Sequence, residues 1–415
     1  MVVLLCSLLV LARAAQWAVL VAGSNGYWNY RHQADLCHSY QVLVSHGVPA
    51  SNIIVFSYND VANSSSNHFP GQLFNSPGAN ATDVYAGCKI DYSGSTNNST
   101  NFLAVLTGNE EAVKGVGSGR VLKSYFWDTV FINFVDHGAP GVLAFPNEND
   151  LLYADTLIST LKYMSSHWMF SKLVFFLEAC DSGSMFDGLL PDNIDVYAVT
   201  AASDSQFSWA VYCPPEEDFV QEWSMGTCLG DLFTVSWMHV FSSNNPSKLT
   251  LASLFEQVSV LTNASTPMQF GDLSFTHLPA GHFLGRHSPE QVPPLQSLVE
   301  GWTPRNAKLQ YFTLSYPELL EEELKQQLRV SAVFETLMEA LNPDHPESLL
   351  EASHPVRNFV CLREAISGYQ QACGALSEAA FSYVVVLKNA CEEGVSGRSL
   401  AMHLAQICSR SSNVG

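Results

Sequence analysis

Two apolar runs constrain this chain more than any other feature, because each ends on residues that can do chemistry. Thr129–Val135 (TVFINFV) leads directly into Asp136-His137-Gly138, and Leu173–Leu177 (LVFFL) leads into Glu178-Ala179-Cys180-Asp181-Ser182-Gly183. Runs this short, rich in β-branched and aromatic residues, read as strands buried on both faces, which belong to parallel sheets covered by helices. In an open α/β sheet, binding and chemistry sit beyond the carboxyl ends of the strands. The two runs therefore deliver His137 and Cys180 to one edge. That is the pair a cysteine hydrolase needs, since a thiolate attacks a carbonyl carbon and an imidazolium protonates the leaving amine. Gly138 leaves bare backbone beside His137, and its N–H can join that of Cys180 in an oxyanion hole.

Further strands are predicted over Trp17–Ala22, Ile53–Tyr58 and Val196–Ala201, and helices over Arg31–His46, Phe102–Val113 and about Ala154–His167. The alternation implies α/β architecture with a mostly parallel sheet. Residues 60–100, rich in Asn, Ser and Gly, read as loop. Pro289, Pro293, Pro294 and Pro304 punctuate a polar stretch, and beyond it the pattern is helical over Glu318–Met338, Glu347–Glu351, Phe359–Gly368, Phe381–Cys391 and Ser399–Ser409. A chain of 415 residues is long enough for two domains. We read an α/β domain over 15–288, a linker over 289–310 and an all-α domain over 311–415.

The net charge of −20 opposes binding to nucleic acid or to anionic membranes, and we expect neither nucleic acid nor membrane among the partners. Residues 1–14 form an apolar stretch ending Ala12-Arg13-Ala14, which reads as a secretory signal peptide with a small-x-small cleavage site. Sequons at Asn63, Asn80, Asn98 and Asn263, with Asn97 overlapping, agree with a secretory route and glycosylation. Of the ten cysteines, Cys6 lies in the leader and Cys180 is the candidate nucleophile. Cys213 and Cys228 bracket a Pro- and acid-rich segment and read as a stapled loop. Cys361, Cys373, Cys391 and Cys408 suit two disulfides with three connectivities open. Cys88 is unassigned, and Cys37, on a predicted helix, reads as a buried thiol. No cysteine pair has zinc-ligand spacing, so neither a metal nor a cofactor is expected.

Five motifs carry a family resemblance: VAGSNGYWNYRHQAD (21–35), VDHG (135–138), EACDSGSMF (178–186), LPDNIDVYAVTAA (190–202) and LGDLFTVSWM (229–238). Over roughly Trp17–Gly285 the chain resembles the legumains, the asparaginyl endopeptidases or vacuolar processing enzymes, and more weakly so through the four C-terminal cysteines. The resemblance implies a caspase-like α/β/α sandwich and cleavage after Asn, with Asp accepted at lower pH. It implies a zymogen capped by its own C-terminal prodomain, protein and peptide substrates, cystatin-type inhibitors, and routing to a lysosome, a vacuole or the cell exterior. Peptide ligation is a related activity.

Residue by residue, Cys180 matches the nucleophile, His137 the catalytic histidine and Asn29 the asparagine that accompanies them. Arg31, Glu178 and Asp231 match the pocket for the substrate Asn, with His32, Ser208 and Trp209 beside it, and Asp136 matches an aspartate able to convert to a succinimide. Phe207-Ser208-Trp209 departs from the Ser-Ser-Tyr/Trp pattern, so Phe207 narrows the groove. Candidate self-processing sites are Asn306 and Asn342; Pro343 disfavours the second, which leaves Asn306. The alternatives are a GPI-transamidase-like enzyme, which should carry a C-terminal membrane span, and an inactive secreted pseudoprotease, which should lack a dyad or pocket residue.

Overall fold

A computed structural model describes residues 14–147, 149–288 and 317–411. The leader before Ala14, the linker and Asn306 lie outside the described residues. The central sheet has six strands: β1 (Gln16–Ala22), β2 (Ile53–Phe56), β3 (Thr129–Val135), β4 (Lys172–Glu178), β5 (Val196–Thr200) and β6 (Met268–Gly271). Their spatial order is β6-β5-β4-β3-β1-β2, with only β6 antiparallel.

Alternate residues of each strand face opposite layers, as a period of two demands. Val19, Val21, Ile132, Phe134, Phe175 and Leu177 pack against α2 (Ser99–Leu106) and α3 (Ala154–Ser166). Ala18, Leu20, Phe131, Val174 and Phe176 pack against α1 (Tyr30–Ser45), α4 (Leu232–Ser243) and α5 (Leu251–Leu261). Both faces are dry, which is why the strands read as unbroken apolar runs. The product is the expected α/β/α sandwich.

Register decides where the chemistry falls. Ala22 lies opposite Val135, and Val135 opposite Glu178, so β1, β3 and β4 finish in one row. From β1 the order runs outward to β2 on one side and through β3, β4 and β5 on the other. The gap between β1 and β3 is thus the topological switch point, where an open sheet leaves a crevice.

A short helix (Gly281–Leu284), α6, closes the sandwich. Beyond the linker follow α7 (Pro317–Leu341), α8 (Ser348–Glu351), α9 (Phe359–Cys373), α10 (Glu378–Phe381), α11 (Val384–Glu392) and α12 (Gly397–Ser411). Cys361–Cys391 ties α9 to α11, and Cys373–Cys408 ties α9 to α12, which selects one of the three connectivities. Gly368 lets α9 and α12 touch, since a Cβ there would stand 2.4 Å from that of Ala401. Val356 and Phe359 reach the first domain at Gly141, and join the apolar cluster under α2 and α3. Arg363 pairs with Asp155 and lies over the Tyr153 ring. Among the described residues no helix is long and apolar enough to cross a membrane.

Three expectations are corrected. Cys37 is not a thiol but is bridged to Cys88. The aperiodic segment before α2 folds back on α1, where Gln41 Nε2 donates to the Val84 and Ala86 carbonyls, and so brings Cys88 to the helix. The helix predicted over Phe102–Val113 starts earlier, capped by Asn98, and ends at Leu106, after which the chain turns. The helix predicted over Phe381–Cys391 is two pieces, α10 and α11, because the chain bends between Phe381 and Val384.

Candidate active site

The loop after β1 brings Asn29 to the edge where β3 delivers His137. Asn29 Nδ2 donates to the Asn25 carbonyl (3.0 Å), which turns Oδ1 toward His137 Nε2 at 2.8 Å. An amide oxygen can only accept, so Nε2 of His137 carries the proton and Nδ1 keeps the lone pair of a base. Cys180 follows β4 directly and is the only cysteine outside a disulfide among the described residues. Its Sγ lies 3.8 Å from the Ser208 carbonyl oxygen. Gly138 sits against the Cys180 backbone: a Cβ at 138 would stand 2.4 Å from the Cys180 carbonyl oxygen. Any larger residue there would push β4's end away from His137.

Beside this pair lies a cluster of charged residues. Arg31, in the first turn of α1, donates from Nε to Asp231 Oδ1 at 2.9 Å. The Gly230–Asp231 segment pairs with Ala210–Val211, and Leu232 N–H donates to the Trp209 carbonyl, so Ser208 and Trp209 are tied to the same wall. Glu178, the last residue of β4, accepts from the Thr234 N–H (2.8 Å) and hydroxyl (3.1 Å) through Oε2. Burial, and then the Asp231 charge, push its carboxyl up to about 8.

Asp35 was not singled out from the sequence, yet it braces this wall. It is buried, accepts from Asn75 Nδ2 at 2.6 Å and takes the Asp231 N–H at 3.1 Å. The available signal was its spacing, one helical turn after Arg31.

His32 is buried with its ring edge-on to His137, the centroids 5.0 Å apart. Its Nδ1 lies 2.7 Å from Ser24 Oγ, and burial, Arg31 and His137 all hold its pKa well below the ordinary histidine range. Asp136 is buried, its Oδ1 3.6 Å from His32 Nδ1, and burial raises its pKa well above the usual carboxylate range. Gly23 makes room for it, since a Cβ there would stand 2.2 Å from Asp136 Oδ2. His32, Asp136 and His137 offer three ligand atoms within 4.8 Å of one another. Cysteine spacing, on which the expectation of no metal rests, says nothing of this grouping.

Every dyad and pocket residue named from the sequence thus lies along one edge. The C-terminal helices reach it as well: Glu378, in the first turn of α10, holds Oε2 4.0 Å from His137 Nε2. Elsewhere, Cys213 and Cys228 are bridged. Asn63, Asn80 and Asn263 are exposed, whereas Asn98 is half-buried and caps α2. Asn97 is buried, its Nδ2 donating to the Ala22 carbonyl, which leaves no room there for a glycan.

The buried carboxyls set a pH dependence. Asp35, Asp136 and Glu178 keep protons in the folded state at pH values where the unfolded chain has released them. Between about pH 4.5 and 8 the folded state therefore binds more protons, and stability falls as pH rises. His32 acts oppositely, because its folded pKa is depressed. We expect the melting temperature to drop from mild acid to neutral pH, and Glu178→Gln to flatten that slope. A melting temperature that climbs over the same range would contradict this account.

The peptidase C13 family model matches residues 16–286, and the legumain prodomain model matches residues 318–408. Legumain from Rattus norvegicus is 38% identical over 414 residues, covering 94% of this chain and 92% of that protein. Legumain from Homo sapiens is 37% identical over 413 residues, with the same coverage of 94% and 92%. The vacuolar-processing enzyme of Phaseolus vulgaris is 35% identical over 430 residues, covering 95% of this chain and 85% of that protein. Among solved structures, caspase-1 from Spodoptera frugiperda matches with a TM-score of 0.39 at 12% identity, covering 67% of this chain and 92% of that one. With a catalytic match spanning most of its length, a prodomain match behind it and relatives of this identity, the chain belongs to the peptidase C13 or legumain family of cysteine endopeptidases.

Proposed function

We propose that this peptidase cleaves on the carboxyl side of Asn. The observation that carries the reading is the pocket of Arg31, Asp231 and Glu178 beside Cys180 and His137. A carboxamide has one acceptor oxygen and two N–H donors. Arg31 donates to the oxygen, and Asp231 accepts from the nitrogen. A substrate Asp that has lost its proton meets Asp231 and is repelled, whereas protonated Asp mimics Asn.

The steps follow from the dyad. His137 Nδ1 takes the proton of Cys180, and the thiolate forms a C–S bond to the scissile carbonyl. The N–H groups of Gly138 and Cys180 stabilise the oxyanion. The C–N bond breaks as imidazolium protonates the leaving amine. Water, activated by His137, then hydrolyses the thioester; an incoming amine in place of water gives ligation.

The same reading makes the C-terminal helices the inhibitor. Glu378 stands before His137, and Arg363–Asp155 fastens the two parts. Asp181 makes the docking depend on pH. Burial pushes its carboxyl up to about 7, with Lys388 of α11 opposing, so the docked state holds a proton that the undocked state releases. Lowering the pH through that range therefore favours docking at Asp181, and activation depends on the remaining contacts together with a cut such as Asn306. Sorting through the secretory pathway to a lysosome or vacuole, glycans at the exposed sequons and inhibition by cystatin-type proteins complete the proposal.

The test uses three peptides differing only at one Asn, Gln or Asp, given to acid-incubated protein. At about pH 4.5, where a carboxyl side chain is partly protonated, Asn and Asp peptides are cut. At neutral pH Asp cleavage is lost, and Gln is refused by roughly a hundredfold or more at both, the cost of misplacing a carboxamide among buried polar groups. Equal cleavage of Asn and Gln would sink the pocket assignment, and undiminished Asp cleavage at neutral pH would sink its electrostatics.

A further inference from the structure

Three side chains at the catalytic edge stand together as metal ligands would. His32, Asp136 and His137 each bring one nitrogen or oxygen, and these atoms lie within 4.8 Å of one another. They come from two parts of the fold. His32 is in the first turn of α1, whereas Asp136 and His137 follow β3 directly. The register that sets Ala22 opposite Val135 ends β1 and β3 in one row and so brings the two parts together. The donors are two imidazoles and a carboxyl, a set that cysteine spacing cannot reveal.

Two features of the surroundings point to a cation. First, both rings are oriented from outside the group. Ser24 Oγ lies 2.7 Å from His32 Nδ1, and Asn29 Oδ1 lies 2.8 Å from His137 Nε2. Such outer partners are usual for metal-ligating histidines, because they fix the ring and its tautomer. On His137 this leaves Nδ1 with its lone pair. Second, buried carboxyls crowd the His32 ring. Asp136 Oδ1 is 3.6 Å from its Nδ1 and Asp231 Oδ2 is 3.7 Å from its Nε2, while the buried Glu178 ends β4 on the same edge. Arg31 is already engaged with Asp231. Carboxyls taken out of water favour a further positive charge beside them.

We propose that His32, Asp136 and His137 bind one Zn²⁺ ion, and that this ion switches the peptidase off. Two imidazoles and a carboxylate with a fourth position open are a set that zinc accepts, whereas calcium and magnesium take oxygen shells. Zinc bonds to nitrogen and oxygen are about 2.0–2.2 Å long, so the three donors draw closer by roughly an ångström on binding. His137 is the member of the group that is not buried, and a turn of its ring supplies that movement. Either ring nitrogen of His137 serves. At Nδ1 the ion occupies the lone pair that would accept the Cys180 proton, and at Nε2 it displaces Asn29. Cys180 is not a donor here, which separates this site from a metal caught between thiolate and imidazole. The inhibition rests on the proposed roles of His137 and Cys180; the binding does not.

The experiment is calorimetric titration of zinc chloride into the full Cys180→Ala chain at neutral pH, with melting temperatures recorded beside it. One ion should bind, and zinc should raise the melting temperature, since a ligand held by the folded state stabilises it. Asp136→Asn and His32→Gln, each in the same background, should weaken binding by roughly tenfold or more and lose that rise. Should both variants fold poorly, Co²⁺ added to the chain with Cys180 in place decides alone. A nitrogen–oxygen site gives the visible bands of four-coordinate cobalt without a thiolate-to-metal charge-transfer band. A charge-transfer band, no zinc binding by the Cys180→Ala chain, or equal binding by the two ligand variants would each overturn the site. None of these readouts needs cleavage, so a failed Asn assay leaves them standing. On acid-incubated wild-type enzyme, zinc should stop cutting at neutral pH and a chelator should restore it; undiminished cutting at saturating zinc would overturn the inhibition.

Discussion

Cys180→Ala protein is expected to cut no Asn peptide above background, a loss of about 10⁴-fold or more, because a dyad acts as a unit. The substitution removes one sulfur from a half-buried position and leaves Asn29–His137 and the pocket intact. It should therefore fold and melt close to the wild-type temperature. It should also stay full length in acid, since the proposed self-cleavage needs the same thiol. Residual cutting within a hundredfold of wild type would mean that another group attacks the carbonyl. Maturation at the wild-type rate would mean that a second protease makes the activating cut.

Arg31→Gln carries the second large effect. The guanidinium holds the Asp231 carboxylate and is proposed to donate to the substrate's carboxamide oxygen, so its loss strands one buried acid and one buried acceptor. Breaking one side of such a pair costs about 3–5 kcal/mol, or roughly a thousandfold. We expect that loss in kcat/KM for Asn peptides. Part of it would appear as lower stability, and pairing Arg31→Gln with Asp231→Asn separates the two. The double variant should regain melting temperature, because no buried charge is left alone, but not Asn cleavage. Recovery of both would reduce Arg31 to a structural role. Arg31→Lys should rescue poorly, because an ammonium lacks the planar fork that can serve Asp231 and a carboxamide together.

The catalytic edge was legible in the sequence because two apolar runs end where their chemistry begins. The structure adds that Val135 and Glu178 lie in register, which no reading of either run alone supplies. The sheet was legible for the same reason: strands buried on both faces leave long, unmixed patterns. Cys37–Cys88 was not, since the loop carrying Cys88 has no periodicity and is placed by tertiary contacts. Glu378 was missed likewise. Its helix spans a single turn, too short to announce itself by pattern, and is held by the Ser377 cap and by packing. Asp35 shared a motif with Arg31, but only its bond to the Asp231 amide reveals which wall it supports.

The apolar contact that joins Val356 and Phe359 to the first domain has a consequence for how the proposed inhibition ends. A cut between residues 289 and 316 alters none of those contacts. What it alters is the statistics of return. An intact tether holds the helices near their seat at an effective concentration in roughly the millimolar range. Once cut, they rebind as a separate molecule, and occupancy follows how much of the protein is present. Inhibition of the nicked enzyme then becomes a matter of dilution: a crowded compartment restores it, and spreading the same molecules through a larger volume lifts it.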